Sequence, residues 1–139
     1  MYEMKPEYYT GIESIDQEHA KLFELAQETQ DLLNNDLLQD KTDSLFHLIS
    51  ELINYTKKHF SHEEEYQKSI GYANLKQHAA QHRAFEDRLM AFDLESIEND
   101  YEQQNKTVKS LLNFLVTWLV AHILETDMKY VEAGKANPK

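Results

Sequence analysis

Apolar residues recur along this chain at alternating steps of three and four, the period of helices that each bury one face. Ile15, His19, Leu22, Ala26, Thr29 and Leu33 mark the first face, on a helix predicted over about 15–38. Asn34, Asn35, Asp36, Gln39 and Asp40 then break the pattern. Leu45, Leu48, Leu52, Tyr55, His59, Glu63 and Tyr66 give a second face over 42–70, ending before Gly71. A third helix, 74–92, opens on Asn74 as its N-cap and carries Leu75, His78, His82, Phe85, Leu89 and Phe92. The acidic stretch from Asp93 to Asn99 leads to a fourth, 101–131, with Asp100 and Gln103 as its capping pair and Val108, Leu111, Leu115, Trp118 and His122 on its face. Neither strand alternation nor an internal repeat competes. Four amphipathic helices with short connections predict an all-α fold, an antiparallel up-down-up-down four-helix bundle. The expected organisation is a single domain over 1–139, with an N-terminal arm (1–14) and a tail (132–139) that reads as disordered from Gly134 onward.

Charge and composition narrow the function. With 14 Lys and Arg against 25 Asp and Glu, the net charge of −11 repels nucleic acid phosphates and anionic lipid. Nucleic acid and membrane are therefore not expected partners, and a monomer is the expected state. The segment Met1 to Tyr9 lacks the basic start and apolar run of a secretory signal, which reads as cytoplasmic. The long apolar stretch, Leu111 to Leu124, is interrupted by Asn113, Thr117 and His122 and is too short to span a bilayer. The chain has no Cys, so disulfides, thiolate metal sites and cysteine nucleophiles are all excluded. A metal must be held by His and carboxylates.

Five of the seven His fall on the predicted apolar rows, where an unpartnered imidazole is costly to bury. His59 with Glu63, and His78 with His82, are four residues apart, so each pair projects from one helix face about one turn apart. His19 stands alone on the first helix. His122 and Asp127 are five apart, which on a regular α-helix turns the second side chain about 140° away from the first. For Asp127 to join His122, the fourth helix must contain a π-type bulge or unwind locally, a feature that often marks functional sites. His47 falls off its row and reads as a surface residue without a role. Spacing alone leaves His62 and Glu63 tied as the inward partner of His59. In the run Glu63-Glu64-Glu65, one candidate ligand is followed by two residues that read as solvated charge.

These residues resemble the hemerythrin family, in its single-domain bacterial form, over nearly the whole chain. The resemblance rests on Gly11-Ile12 and Ile15-Asp16 leading to His19, on His59-Phe60-x-x-Glu63-Glu64, on His78-x-x-x-His82, and on His122-x-x-x-x-Asp127 followed by Lys129-Tyr130. Tyr8 and Tyr9 stand where many bacterial relatives have a Trp. The resemblance implies two Fe ions in an oxo- or hydroxo-bridged centre. His78, His82 and His122 would hold one ion, His19 and His59 the other, with Glu63 and Asp127 bridging, which settles the tie against His62. If both carboxylates bridge two octahedral ions, every coordination position but one is filled, and the open one falls on the ion with two His.

Imidazole and carboxylate suit iron, though also other divalent metals. Only two anionic protein ligands favour the ferrous state more than the carboxylate-rich shells of ferritin-like enzymes do. This points to reversible O₂ binding, with O₂ as the partner and no catalytic residue: an oxygen carrier, store or buffer. The resemblance places Leu22, Phe60, Trp118, Leu119 and Ile123 around a dry O₂ pocket. Two alternatives stand beside this reading. One is an O₂ or redox sensor acting through a separate protein, and the other is a di-iron peroxidase or oxidase.

Overall fold

A computed structural model describes residues 2–136, with side chains through Gly134. It is all-helical, and its long helices pack as a four-helix bundle. Helix α1 spans Glu13–Asn34, α2 Thr42–Ser69, α3 Leu75–Met90 and α4 Tyr101–Ala121. From α4 the chain winds without a break through a π-helical segment, His122–Asp127, into α5, Met128–Ala136. Helix α1 packs on α4 and α2, and α2 packs on α3.

Most positions on the predicted faces are buried. Leu22 and Ala26 of α1 meet Leu45, Leu52 and Phe60 of α2, Phe85 and Leu89 of α3, and Val108, Leu111, Leu115 and Leu119 of α4 in one apolar core. Leu33, Tyr55, Tyr66, Leu75, Phe92 and Trp118 are half-buried at its margins. By length and composition alone, the helix running Tyr101–Gly134 could cross a membrane, correcting the expectation of too short an apolar stretch. In this fold its apolar face is instead committed to the bundle.

Local chemistry sets the helix ends. At the start of α1 the buried Asp16 carboxylate accepts from Thr10 N and Thr10 Oγ1, each at 2.7 Å, and from Gly11 N at 3.1 Å. Gly11 takes φ +86° to make that turn, and α1 begins two residues earlier than the pattern indicated. The arm forms a 3₁₀ turn over Pro6–Tyr8, and Tyr8 is buried by stacking on Phe23 at 5.1 Å, while Tyr9 is exposed. Helix α1 also ends earlier, at Asn34 rather than about Leu38. Asp36 N bonds back to Asn34 O and Leu38 N to Asn35 O, forming turns that compete with the helix, and Leu37 is 97% exposed, so a further turn would bury little. Helix α2 stops in a Schellman arrangement: Tyr72 N donates to Gln67 O at 2.9 Å, with Gly71 at φ +66°.

Three other expectations are corrected. Asn74 occupies the N-cap position of α3, but its side chain makes no capping bond. Helix α3 ends at Met90, two residues before Phe92. The expected tail is helical through Gly134 to Ala136, and Gly134 lies so close to α2 that a Cβ there would come within 2.7 Å of Tyr66 Oη. Residues 137–139 of that tail lie outside the described residues. The Asp100 cap forms as read, its side chain accepting from Gln103 N. Buried Gln104 then ties both connections to α4, accepting from Lys41 N and donating to Ile97 O and Glu98 O.

Candidate metal centre

The π-helical segment is the local feature on which the site turns. Winding closed by i→i+5 bonds brings residues five apart onto one face. Asp127 consequently lies inside the bundle, fully buried, with Oδ1 3.0 Å from His122 Nε2. The bulge inferred from the five-residue spacing is present.

Around it the bundle gathers the remaining candidates. Asp127 Oδ1 is also 3.0 Å from His78 Nε2, and Oδ2 is 3.2 Å from His19 Nε2. His122 Nε2 lies 2.8 Å from His78 Nε2 and 3.1 Å from His82 Nε2. From α2, Glu63 Oε1 is 2.8 Å from His59 Nε2 and 3.6 Å from His82 Nε2. Two overlapping donor groups result, Glu63 with His78, His82, His122 and Asp127, and His19 with His59 and Glu63, each within 4.8 Å and all buried. His62 is outside both, 42% exposed at its side chain. His47 lies on the surface, paired with Glu51.

The donor set fits a metal better than it fits a hydrogen-bond network. His82 donates from Nδ1 to Glu64 Oε2 at 2.8 Å, which leaves its inward Nε2 as a lone pair among other ring nitrogens. Both ring nitrogens of His19, both oxygens of Asp127 and Glu63 Oε1 are buried without a hydrogen-bond partner among the described residues. Orphaned acceptors in the core are rare, and here they converge. Cations would satisfy the inward-facing ones together: His19 Nε2, both Asp127 oxygens and Glu63 Oε1.

Sequence reading did not find the residues that orient the histidines. Glu18 accepts from His59 Nδ1 at 2.9 Å and also from His62 Nδ1. Gln67 places its amide 2.6 Å from His78 Nδ1, and its Oε1 is otherwise without a partner. With the amide turned so that Oε1 accepts His78 Nδ1–H, the His78 Nε2 lone pair points inward. Glu64, read as solvated charge, instead holds His82 and is itself held by Arg83 at 3.1 Å. Only Glu65 is exposed. Buried Tyr130 donates from its hydroxyl to Glu63 Oε2 at 2.8 Å. Gln67 shared the i, i+4 row of His59 and Glu63, a signal that was available. Such partners fix ring orientation and raise ligand basicity.

Charge follows this geometry. Burial opposes a positive His59, but the Glu63 charge, with Glu18 and Asp127, holds its pKa up at about 10. Burial, with His78 and His122 nearby, pushes His82 far down, so it stays neutral. Burial also opposes ionisation of Asp127, yet His122, with His19 and His78 close beside it, keeps it well below the usual range. Burial and the Glu63 charge raise Tyr130, which remains a phenol donor.

A metal binding at His59 must displace this proton, so uptake near neutral pH releases acid and tightens as pH rises toward about 10. In the chelator-treated protein the sign is fixed by a folded pKa above the unfolded one. The His59 charge stabilises the fold fully below about 6.5 and is lost as pH rises through about 10. Unbuffered metal titration with a pH electrode checks this: about one proton from His59 per centre is expected. Metal uptake with no acid released would contradict it.

Two of the apolar candidates pack on these rings. Phe60 is fully buried, stacked on His82 at 3.9 Å and 5.8 Å from His59. Trp118, half-buried, stacks on His122 at 4.2 Å. Leu22, Leu119 and Ile123 are buried in the same core.

A four-helix bundle with a buried histidine and carboxylate centre, opened by a π segment, defines a helical cation-binding protein. A family model described as Hemerythrin HHE cation binding domain matches residues 10–133. The chain belongs to the hemerythrin family. It is 41% identical over 132 residues to a bacteriohemerythrin of Clostridium acetobutylicum, covering 95% of this chain and 100% of that one. Bacteriohemerythrins of Pseudomonas paraeruginosa and Stenotrophomonas maltophilia are 29% and 27% identical, over 89% and 91% of this chain and 75% and 77% of theirs.

Proposed function

We propose that this chain binds O₂ reversibly at a di-iron centre, as an oxygen carrier, store or buffer. The observation that carries the reading is the convergence of five buried imidazoles and two buried carboxylates, with unpartnered acceptors on Asp127 and Glu63. His78, His82 and His122 would hold one iron and His19 and His59 the other, with Asp127 and Glu63 reaching both. A ferrous pair, when bound, supplies the electrons on which reversible O₂ binding depends.

The chain's own residues do the rest. Glu18, Gln67 and Glu64 hold His59, His78 and His82 so that their inward nitrogens face the centre. Tyr130 steadies Glu63. Leu22, Phe60, Leu119 and Ile123 keep the surroundings dry, and Trp118 covers His122. Excluding water and anions from such a site slows irreversible oxidation. The His-rich, carboxylate-poor donor set, together with the family, favours binding over turnover.

The test is to reduce the protein without oxygen, admit air and follow the visible spectrum. A band that appears with O₂ and disappears on deoxygenation over repeated cycles is expected. A single irreversible change would support a redox enzyme or sensor instead.

A further inference from the structure

A groove between α3 and α4 runs along the outside of the centre, and two polar groups with no hydrogen-bond or ion-pair partner among the described residues line it. His122 is 5% exposed, and its Nε2 points into the centre. Its Nδ1 has no hydrogen-bond partner among the described residues, unlike those of His59, His78 and His82, and the ring lines the groove. Toward the other end lies Arg88. Whereas Arg83 is tied to Glu64 and Glu86, Arg88 has no carboxylate within ion-pair distance among the described residues and sits 5.6 Å over the Phe114 ring. Between the two, Phe114 and Trp118 offer half-buried aromatic surface.

We propose that this groove binds an extended aromatic monocarboxylate. The carboxylate pairs with the Arg88 guanidinium, the ring lies along Phe114 and Trp118, and a neutral acceptor at the far end takes the His122 Nδ1–H. Each part follows from the lining. Guanidinium is a strong, geometrically selective partner for carboxylate. Phe114 and His122 are eight residues apart, about 12 Å along a helix, which calls for an elongated ligand. Glu125 lines the His122 end and would repel a second negative charge there, so the far group is a neutral acceptor. Taking up Nδ1–H makes the imidazole a stronger donor through Nε2, so the ligand would act as an effector of the centre. That consequence rests on the proposed function, but binding in the groove does not.

Trp118 is the only Trp in the chain, so its emission reports the groove directly. The full chain with its metal is titrated with 4-nitrocinnamate, whose nitroaromatic ring quenches Trp and whose nitro oxygens are neutral acceptors. Saturating quenching is expected. It weakens on the order of tenfold in the exposed-site variant Arg88→Gln, and by a similar factor with the uncharged amide of the same acid. Ala84→Phe, which fills the groove without altering charge, abolishes saturation. Unsubstituted cinnamate lacks the far acceptor and displaces the probe only at several-fold higher concentration. Quenching that rises linearly without saturation, or is indifferent to Arg88→Gln and to the amide, overturns the site. Equal potency of cinnamate overturns the His122 contact. Because the readout is Trp118, saturable binding in a protein that fails to bind O₂ reversibly would sink the functional reading and leave the groove standing.

Discussion

Asp127→Asn is expected to bind at most one iron per chain, where the proposed centre takes two, and to abolish any reversible O₂ spectrum. Asp127 is the one side chain whose two oxygens face both donor groups, Oδ1 toward His78 and His122 and Oδ2 toward His19. Asparagine keeps the shape, but it removes the charge and turns one of the two acceptors into a donor. The chelator-treated variant will also be less stable, because Asp127 is a buried anion among His groups. Removing one partner of a buried charge cluster costs about 3–5 kcal/mol. Metal analysis and urea denaturation check the two effects separately. Full iron content in this variant would mean that the carboxylate bridge is not needed.

Phe60→Ala tests the packing that holds the histidines in place. Phe60 is fully buried, lies parallel to His82 with 3.9 Å between ring centroids, and contacts Phe85 and Trp118 at 5.7 Å each. Truncation removes a large apolar side chain and leaves a cavity lined by rings that cannot close over it. The expected loss is about 3–5 kcal/mol. The same cavity frees His82 to tilt, so metal will also dissociate faster. Urea denaturation measures the first and chelator competition the second. A loss below about 1 kcal/mol would show that the surrounding rings collapse into the space.

Much of this arrangement was legible because helices convert spacing into direction. The apolar rows named the inward faces. The awkward five-residue step from His122 to Asp127 was informative because regular geometry fails there, and the π segment is the backbone's answer. The histidine-orienting partners were less visible. Glu18 reaches His59 from another helix, and Glu64 reaches His82 likewise, so each contact depends on how two helices are rotated and offset, which no single row encodes. Glu64 and Glu65 are indistinguishable as letters, yet one lies beside α3 and the other in solvent. The end of α1 was missed for a simpler reason. Leu37 and Leu38 extended the apolar count, but Asn35 and Asp36 had already turned the chain and left Leu37 exposed. At the other end, Gly134 looked like a stop and is instead the close approach that lets α5 pass Tyr66.

Two overlapping donor groups, sharing Glu63 and joined by Asp127, are proposed to hold a pair of ions. The most direct test is an anaerobic equilibrium titration of the chelator-treated protein with ferrous iron, with bound metal counted per chain. Saturation at two ions per chain is expected. Saturation at one, or no binding, would contradict it.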